Sequence, residues 1–104
     1  MKGRKRNTPL DNRRIFQSPL FGRKIKKLKK QEKAALDDAV LEISRDPTAG
    51  EEKVGDLAGV YVYKLKINKQ QVLLSYAFDK EEINLLALGT HENFYRDLKK
   101  YKTQ

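Results

Sequence analysis

Three short apolar segments in the second half of the chain constrain the fold more than any other feature. They are GVYVYKLKI (59–67), QVLLSYAF (71–78) and INLLALG (83–89), separated by the polar segments NKQ and DKEE. Each segment has the length and the β-branched or aromatic content of a strand, and such short polar breaks favour hairpins. The segments therefore predict an antiparallel β-meander.

The first strand of this meander predicts two different sheet faces. Successive side chains of a strand point to opposite faces of its sheet. Between residues 60 and 67, one face carries tyrosines and aliphatic residues, whereas Lys64 and Lys66 share the other. Segment 83–88 is apolar on both faces, as an internal strand is. We expect one face of the sheet to pack on helices, and the other to present the two lysines beside Ser75.

The first half of the chain predicts a helical hairpin. Ser18 followed by Pro19 is a typical helix start, because serine caps the first turn and proline suits its first position. The apolar period predicts one helix over about 19–29 and a second over 31–45, which ends at Asp46–Pro47 because the residue before proline avoids the helical region. Segment 14–18 predicts a strand beside the meander.

The remaining segments predict a connecting loop and a last helix. Residues 48–58 contain two glycines and alternating charges, which indicates a loop with Leu57 at the edge of the core. Apolar residues at helical spacing predict a short final helix over 91–102. The whole is an α+β fold, with the helical hairpin packed on a mainly antiparallel sheet of three or four strands.

Size and composition limit the class of protein. A chain of 104 residues suits one domain, which we place at 14–104 after a basic N-terminal tail over 1–13. The absence of cysteine and the presence of a single histidine argue against a structural metal, and we expect no cofactor. No apolar run has the roughly 20 residues that a membrane span needs. We therefore expect a cytoplasmic protein with no membrane partner.

The positive charge is concentrated in the first third of the chain. Residues 1–33 hold 13 of the 23 lysines and arginines but only two of the 14 acidic residues, so their net charge is +11. The rest of the chain has a net charge of −2, which gives +9 for the whole. Such a basic region favours a polyanionic partner. The candidate residues for binding a polyanion such as RNA lie on the polar faces of the predicted hairpin: Arg23, Lys24, Lys26, Lys27 and Lys30. A solvated helix face is the alternative interpretation.

The meander and the segment after it carry a family resemblance. GDLAGVYVYKLKI, LLSYAF and INLLALGTHENFYRDLKKY resemble the RelE/ParE superfamily of bacterial type II toxin–antitoxin toxins, close to its RelE/StbE branch. The resemblance covers roughly residues 15–102. It implies a small microbial-RNase-like fold and an antitoxin partner, acidic and encoded by the adjacent gene. RelE-type members cut mRNA on the ribosome by attack of the 2′-hydroxyl on the adjacent phosphate, without a metal.

The resemblance also implies candidate catalytic residues. Lys64 and Lys66 match a lysine pair on one strand, Tyr95 lies near a C-terminal tyrosine, and His91 lies where relatives have arginine or histidine. Arg96 is a candidate replacement for the essential strand arginine of RelE, because the matching position here is Leu73. In the chemistry, lysines and arginine stabilise the phosphorane, histidine transfers a proton, and tyrosine stacks on a base or donates a proton.

Each of these residues also has a simpler interpretation. Lys64 and Lys66 can be ordinary solvent-facing lysines, and His91 can serve only to begin the last helix. Two other functions stay open. One is a ParE-type poison of DNA gyrase without nuclease activity, which the missing strand arginine favours. The other is a degenerate toxin that retains only antitoxin binding, with the toxin–antitoxin complex binding operator DNA.

Overall fold

The computed structural model describes residues 13–90, which form two helices packed on a five-stranded sheet. The strands are β1 (Arg14–Gln17), β2 (Glu51–Glu52), β3 (Tyr61–Ile67), β4 (Gln70–Phe78) and β5 (Glu82–Gly89), and the helices are α1 (Pro19–Lys26) and α2 (Lys30–Arg45). The sheet order is β1-β5-β4-β3-β2. Only β1 runs parallel to its neighbour, so the sheet is mixed. The predicted α+β class, helical hairpin and meander are confirmed.

The β3–β4 hairpin turns through Asn68 and Lys69. Both residues have positive φ values, +54° and +69°, and Ile67 pairs with Gln70 directly across the turn. Two successive left-handed residues are the backbone of a type I′ turn, whose twist matches that of the flanking strands. The polar break predicted between the first two strands is thus a two-residue hairpin loop, and it fixes the register of β3 on β4.

The sheet is covered on both faces by apolar side chains. The helix-side cluster contains Phe21, Leu36, Ile43, Leu74, Tyr76, Ile83, Leu85 and Leu88. A second cluster on the other face contains Leu57, Val60, Val62, Leu73, Leu86 and Ala87. A bulge between Ser75 and Tyr76 shifts the β4–β5 register. Leu85 belongs to the helix-side cluster, whereas the next two residues, Leu86 and Ala87, both belong to the second cluster. The predicted position of Leu57 at the core edge is confirmed.

The junction between β1 and α1 is tied to β5 through Ser18. The Ser18 hydroxyl accepts the Phe21 N–H at 3.0 Å, as an N-cap does, and donates to the carbonyl oxygen of Leu86 at 2.7 Å. Its own N–H donates to the carbonyl oxygen of Leu85. One residue therefore begins the helix and holds it against the sheet. The predicted helix start at Ser18–Pro19 is confirmed.

Two boundaries differ from the prediction. Helix α1 ends at Lys26 rather than near residue 29, because Lys29 adopts an extended conformation as the N-cap of α2. There Glu32 accepts the Lys29 N–H at 2.7 Å. The segment predicted as a loop over 48–58 includes the short strand β2, whose two residues pair with Val62 and Tyr61. The two glutamates do not alternate with apolar residues in the sequence, so the pattern that signals a strand is absent there.

The loop before β2 is fixed by a buried tyrosine. Tyr76 is completely buried, and its hydroxyl donates to the carbonyl oxygen of Pro47 and accepts the Gly50 N–H at 2.9 Å. A methyl group at Gly50 would lie 2.7 Å from the Tyr76 oxygen, so only glycine permits this approach. Burial raises the pKa of Tyr76 above its ordinary value, while the hydrogen bond from Gly50 acts in the opposite direction.

The first described residue, Arg13, contacts the connection between β4 and β5. Its guanidinium donates to the carbonyl oxygen of Asp79 at 2.6 Å and lies 5.6 Å from the centre of the Phe78 ring. The N–H groups of Glu81 and Glu82 donate to the Asp79 carboxylate and hold the pKa of that carboxyl below its ordinary value. The rest of the predicted tail and the predicted final helix lie outside the described residues. Within 13–90, no helix is long and apolar enough to cross a membrane.

We expect Tyr76→Phe to lower the free energy of unfolding by about 1–3 kcal/mol, because it leaves the half-buried N–H of Gly50 and the buried carbonyl of Pro47 without their partner. Tyr61→Phe is the matched control, since the Tyr61 hydroxyl makes only a 3.3 Å contact with Glu52. Urea denaturation followed by circular dichroism measures both. Equal losses in the two variants would show that the Tyr76 hydroxyl does not hold the loop.

Candidate functional site

Lys64 and Lys66 share the sheet face that lies opposite α2, which we call the lysine face. Both side chains are exposed. Alternate residues of a strand are about 7 Å apart, a separation that lets two ammonium groups contact one phosphodiester. No carboxylate within residues 13–90 lies within 4 Å of either ammonium group. The structure thus confirms that the two lysines lie together, and it leaves their charges available to an anion.

The register places the end of β5 beside this pair. Lys64 lies opposite Leu73 on β4, and Leu73 lies opposite Gly89 on β5, so the three residues form one row across the sheet. Strands are about 4.8 Å apart, so the row spans about 10 Å. Lys66 lies in the next row, opposite Gln71. The strand that leads toward residue 91 therefore ends in the same part of the sheet as the lysines.

The lysine face becomes apolar away from this end. Ser75 lies between Val62 and Ala87 in the register and is completely buried. Its hydroxyl has no hydrogen-bond partner in the described part of the chain. A buried hydroxyl among apolar residues is unusual, since most such groups are satisfied. The polar part of the face that was predicted to present the two lysines beside Ser75 therefore excludes Ser75, which belongs to the interior.

Strand β3 is open along its outer edge next to the lysines. Strand β2 pairs only with Tyr61 and Val62, so Tyr63–Ile67 has no outer neighbour among residues 13–90. Lys64 lines two open cavities at this edge. One, of about 460 Å³, lies against α2, and the other, of about 360 Å³, lies beside Ala49 and Glu51. Lys64 can thus be reached both from the sheet face and from the sheet edge.

The predicted basic residues of the helical hairpin divide into two groups. A cavity of about 320 Å³ is lined by Leu20 and by four cations, Arg23, Lys24, Lys26 and Lys27. Lys30 lies apart from this group, as the exposed first residue of α2. The structure therefore gathers four of the five predicted cations on α1 and the residue that follows it.

A second cavity joins α1 to the hairpin end of the sheet. This end cleft has a volume of about 310 Å³, and its lining includes Lys24, Lys27, Glu32, Asn68, Gln70 and Thr90. Ile67 and Gln70, which line it, are next in sequence to Lys66 and Gln71 on the lysine face. The cations of α1 and the lysine pair therefore lie at the same end of the sheet, on its two sides.

The sequence analysis missed the role of Glu32 in this cleft. One carboxylate oxygen accepts the Lys29 N–H, and the other accepts the side-chain N–H of Asn68. Glu32 thereby joins the link between the helices to the tip of the β3–β4 hairpin. A glutamate three residues after a helix cap is a known capping signal, but it is usually sought after serine or threonine, and the cap here is a lysine.

Comparison with known proteins identifies the family. Residues 15–99 match the family described as ParE-like toxin of type II bacterial toxin–antitoxin systems. The chain belongs to this ParE-like toxin family. No curated protein matches it by sequence.

Solved structures agree on the fold of this toxin. A double-arginine mutant of Escherichia coli RelE in the free state is 17% identical, with a TM-score of 0.68 over 86% of this chain and 97% of that one. For the intact E. coli RelBE toxin–antitoxin complex, the identity is 17% and the TM-score 0.62, over 77% of this chain and 98% of that one. For the YoeB dimer of Staphylococcus aureus, the identity is 20% and the TM-score 0.60, over 77% of this chain and 98% of that one. At these identities the likeness shows the fold, and the RelE/ParE resemblance is confirmed at that level.

The remaining candidate residues of the toxin have different outcomes. His91, Tyr95 and Arg96 lie outside the described residues, so their roles stay predictions. Leu73, which stands where the resemblance expects an arginine, is only 2% exposed and belongs to the second apolar cluster. The position is therefore part of the core of this toxin and offers no charge to the lysine face.

We expect Leu73→Arg to lower the free energy of unfolding by about 3 kcal/mol, because it puts an unpaired charge into an apolar cluster. Leu73→Met is the matched control and should cost less than about 1.5 kcal/mol, since it nearly conserves volume. Urea unfolding monitored by circular dichroism compares the two. An arginine variant as stable as the methionine variant would mean that this position can open to solvent.

Proposed function

We propose that this toxin is a ribosome-dependent mRNA endoribonuclease that inhibits translation and is neutralised by a cognate antitoxin. The observation that carries the proposal is the row formed by Lys64, Leu73 and Gly89, with Lys66 in the next row. It puts two exposed cations on one face, at the sheet end from which the chain continues toward its only histidine. This supports a phosphate site with a proton-transfer group supplied from the segment after β5.

The proposed reaction needs few groups from the protein. A base takes the proton of the 2′-hydroxyl, the oxygen attacks the adjacent phosphorus, and the 5′-oxygen leaves with a proton, which gives a 2′,3′-cyclic phosphate. Lys64 and Lys66 stabilise the charge that develops on the phosphorane oxygens. His91 transfers protons, a role that suits an imidazole, while Arg96 and Tyr95 assist with charge and base stacking.

In this proposal, the cations of the hairpin supply binding. Arg23, Lys26 and Lys27 are exposed, and they contact phosphates of mRNA or ribosomal RNA together with Lys24. Lys30, which lies apart from them, supplies a separate contact. Contacts of this kind neutralise phosphate charge and release counterions, so they are sensitive to salt but not to base sequence. Positioning by the ribosome would then offset the lack of a strand arginine.

The antitoxin is part of the same proposal. The family is defined by type II toxin–antitoxin systems, and the solved RelBE complex joins an E. coli relative to its antitoxin. With a net charge of +9, this toxin favours an acidic antitoxin, encoded by an adjacent gene. Binding of the toxin–antitoxin complex to operator DNA extends the proposal to regulation.

A second function is favoured by one observation. Because Leu73 is buried and uncharged, the site is short of the guanidinium that RelE-like cleavage uses. A gyrase poison would need no such group. Induction in cells separates the two functions, since stalled gyrase complexes with intact transcripts indicate poisoning, and cut transcripts with intact supercoiling indicate cleavage. A degenerate toxin would produce neither effect.

In a reconstituted translation reaction, we expect the wild type to cut mRNA, and Lys64→Ala and Lys66→Ala each to slow cleavage by about 10²-fold or more, because each removes a charge that stabilises the transition state. Primer extension on the recovered mRNA measures the rates. Lys80→Ala is the matched control, since Lys80 is an exposed lysine in the turn before β5.

The lysine variants should unfold within about 0.5 kcal/mol of the wild type, because both side chains are exposed. Lost cleavage can then be assigned to chemistry rather than folding. Wild-type toxin that leaves translated mRNA intact would refute the nuclease, and so would lysine variants that cut as fast as the Lys80 control.

A further inference from the structure

We propose that the end cleft binds one nucleotide of the RNA that the toxin cuts, and so selects which phosphodiester reaches the lysine face. This inference rests on the proposed function. It assigns the phosphate to the ammonium group of Lys27, and the base to the apolar floor of the cleft with the side-chain amides of Asn68 and Gln70 at its edge.

The dimensions of the cleft suit a single small ligand. Its volume of about 310 Å³ is at the lower end of the range for small-molecule sites, roughly 300–1,000 Å³. The floor is apolar, because Ile67 and Leu88 are buried and Val72 is half-buried. A flat, mostly apolar base can cover such a floor, whereas an amphipathic helix would need a longer groove.

Glu32 and Asn68, which both line the cleft, are joined by a hydrogen bond. Both carboxylate oxygens of Glu32 are engaged, by the Lys29 N–H and by the Asn68 side chain. Glu32 is the one acid among the described residues of the lining, and it is occupied within the protein. Lys27, which is exposed, is the cation that the proposal assigns to the ligand. Asn68 is fixed by the same contact, which leaves its side-chain oxygen as an acceptor in a defined place.

The chemistry of the remaining lining groups matches the two parts of a nucleotide. Ammonium groups contact phosphates without regard to sequence, while amides pair with the donors and acceptors on base edges. Gln70 is exposed and begins β4, so its amide is available at the mouth of the cleft. The cleft therefore offers an anion contact, a surface for the base, and a group that can distinguish one base from another.

The position of the cleft connects it to the lysine face. Ile67 and Gln70 face the cleft, and their sequence neighbours Lys66 and Gln71 pair with each other on the opposite side of the sheet. RNA that passes around the tip of the hairpin can thus hold one nucleotide in the cleft and present a nearby phosphodiester to Lys66. The inference predicts that Gln70 and Asn68 set the base preference of the toxin, and that the catalytic groups do not.

The first test is a titration of the isotope-labelled full chain with each of the four nucleoside 3′-monophosphates and with inorganic phosphate, followed by NMR. Binding in the cleft should shift the signals of Asn68, Gln70, Val72 and Leu88. Lys27→Ala should weaken all four nucleotides by about fivefold, because a phosphate contact acts on every sequence alike. Lys80→Ala is the control for lost charge and should leave the affinities unchanged.

Substitution of Gln70 separates base recognition from anion binding. Gln70→Ala should change the order of affinity among the four nucleotides, whereas Gln71→Ala, its sequence neighbour on the lysine face, should not. Inorganic phosphate that binds as tightly as the nucleotides would overturn the base contact and leave an anion site only. Signal shifts confined to residues outside the cleft would overturn the inference as a whole.

The second test reads the cut sites in the translation reaction. Gln70→Ala should cut mRNA with an altered nucleotide preference, and an unchanged preference would overturn the role of the cleft while leaving the nuclease in place. If the wild type cuts no mRNA, the proposed function fails, and the titration still decides whether the cleft binds nucleotides. The two failures are therefore distinguishable.

Discussion

The structure depends on β5 having apolar side chains on both of its faces. Ile83, Leu85 and Leu88 belong to the helix-side cluster, and Leu86 and Ala87 belong to the cluster on the other face. Because water must be kept from both sides of this strand, the sheet has two cores rather than one core and one wet face. Apart from the buried Ser75, the polar side chains of β3, β4 and β5 consequently lie at strand ends or on β3. That restriction brings the candidate functional groups to one end of the sheet.

Most of the fold could be predicted because its local signals agree. Alternation in β3, the Ser18–Pro19 start of α1 and the Asp46–Pro47 end of α2 each come from backbone or packing preferences that act within a few residues. Strand β2 could not be predicted, because its two glutamates pair only through the geometry of β3. The end of α1 was also missed, because the cap of α2 requires Lys29 to be extended, and that depends on Glu32.

The site was predictable only where it lies on one strand. The shared face of Lys64 and Lys66 follows from a period of two, but the alignment of Lys64 with Gly89 is a matter of register across three strands. The end cleft combines α1, the tip of a hairpin and the end of β5, which are far apart in sequence. No local pattern joins them. Ser75 was placed on the correct face, but its burial depends on neighbours that the pattern did not reveal.

The burial of Leu73 has a consequence for the charge on the lysine face. Two exposed ammonium groups about 7 Å apart repel each other by only about 0.6 kcal/mol in water, so the pair costs the folded protein little. A guanidinium at Leu73 would add charge directly between the strands, but at the expense of the second apolar cluster. In this toxin the position is leucine, and the second apolar cluster is complete. Further positive charge must then come from other elements, and α1 is suited to this because Lys24 and Lys27 reach the same end of the sheet.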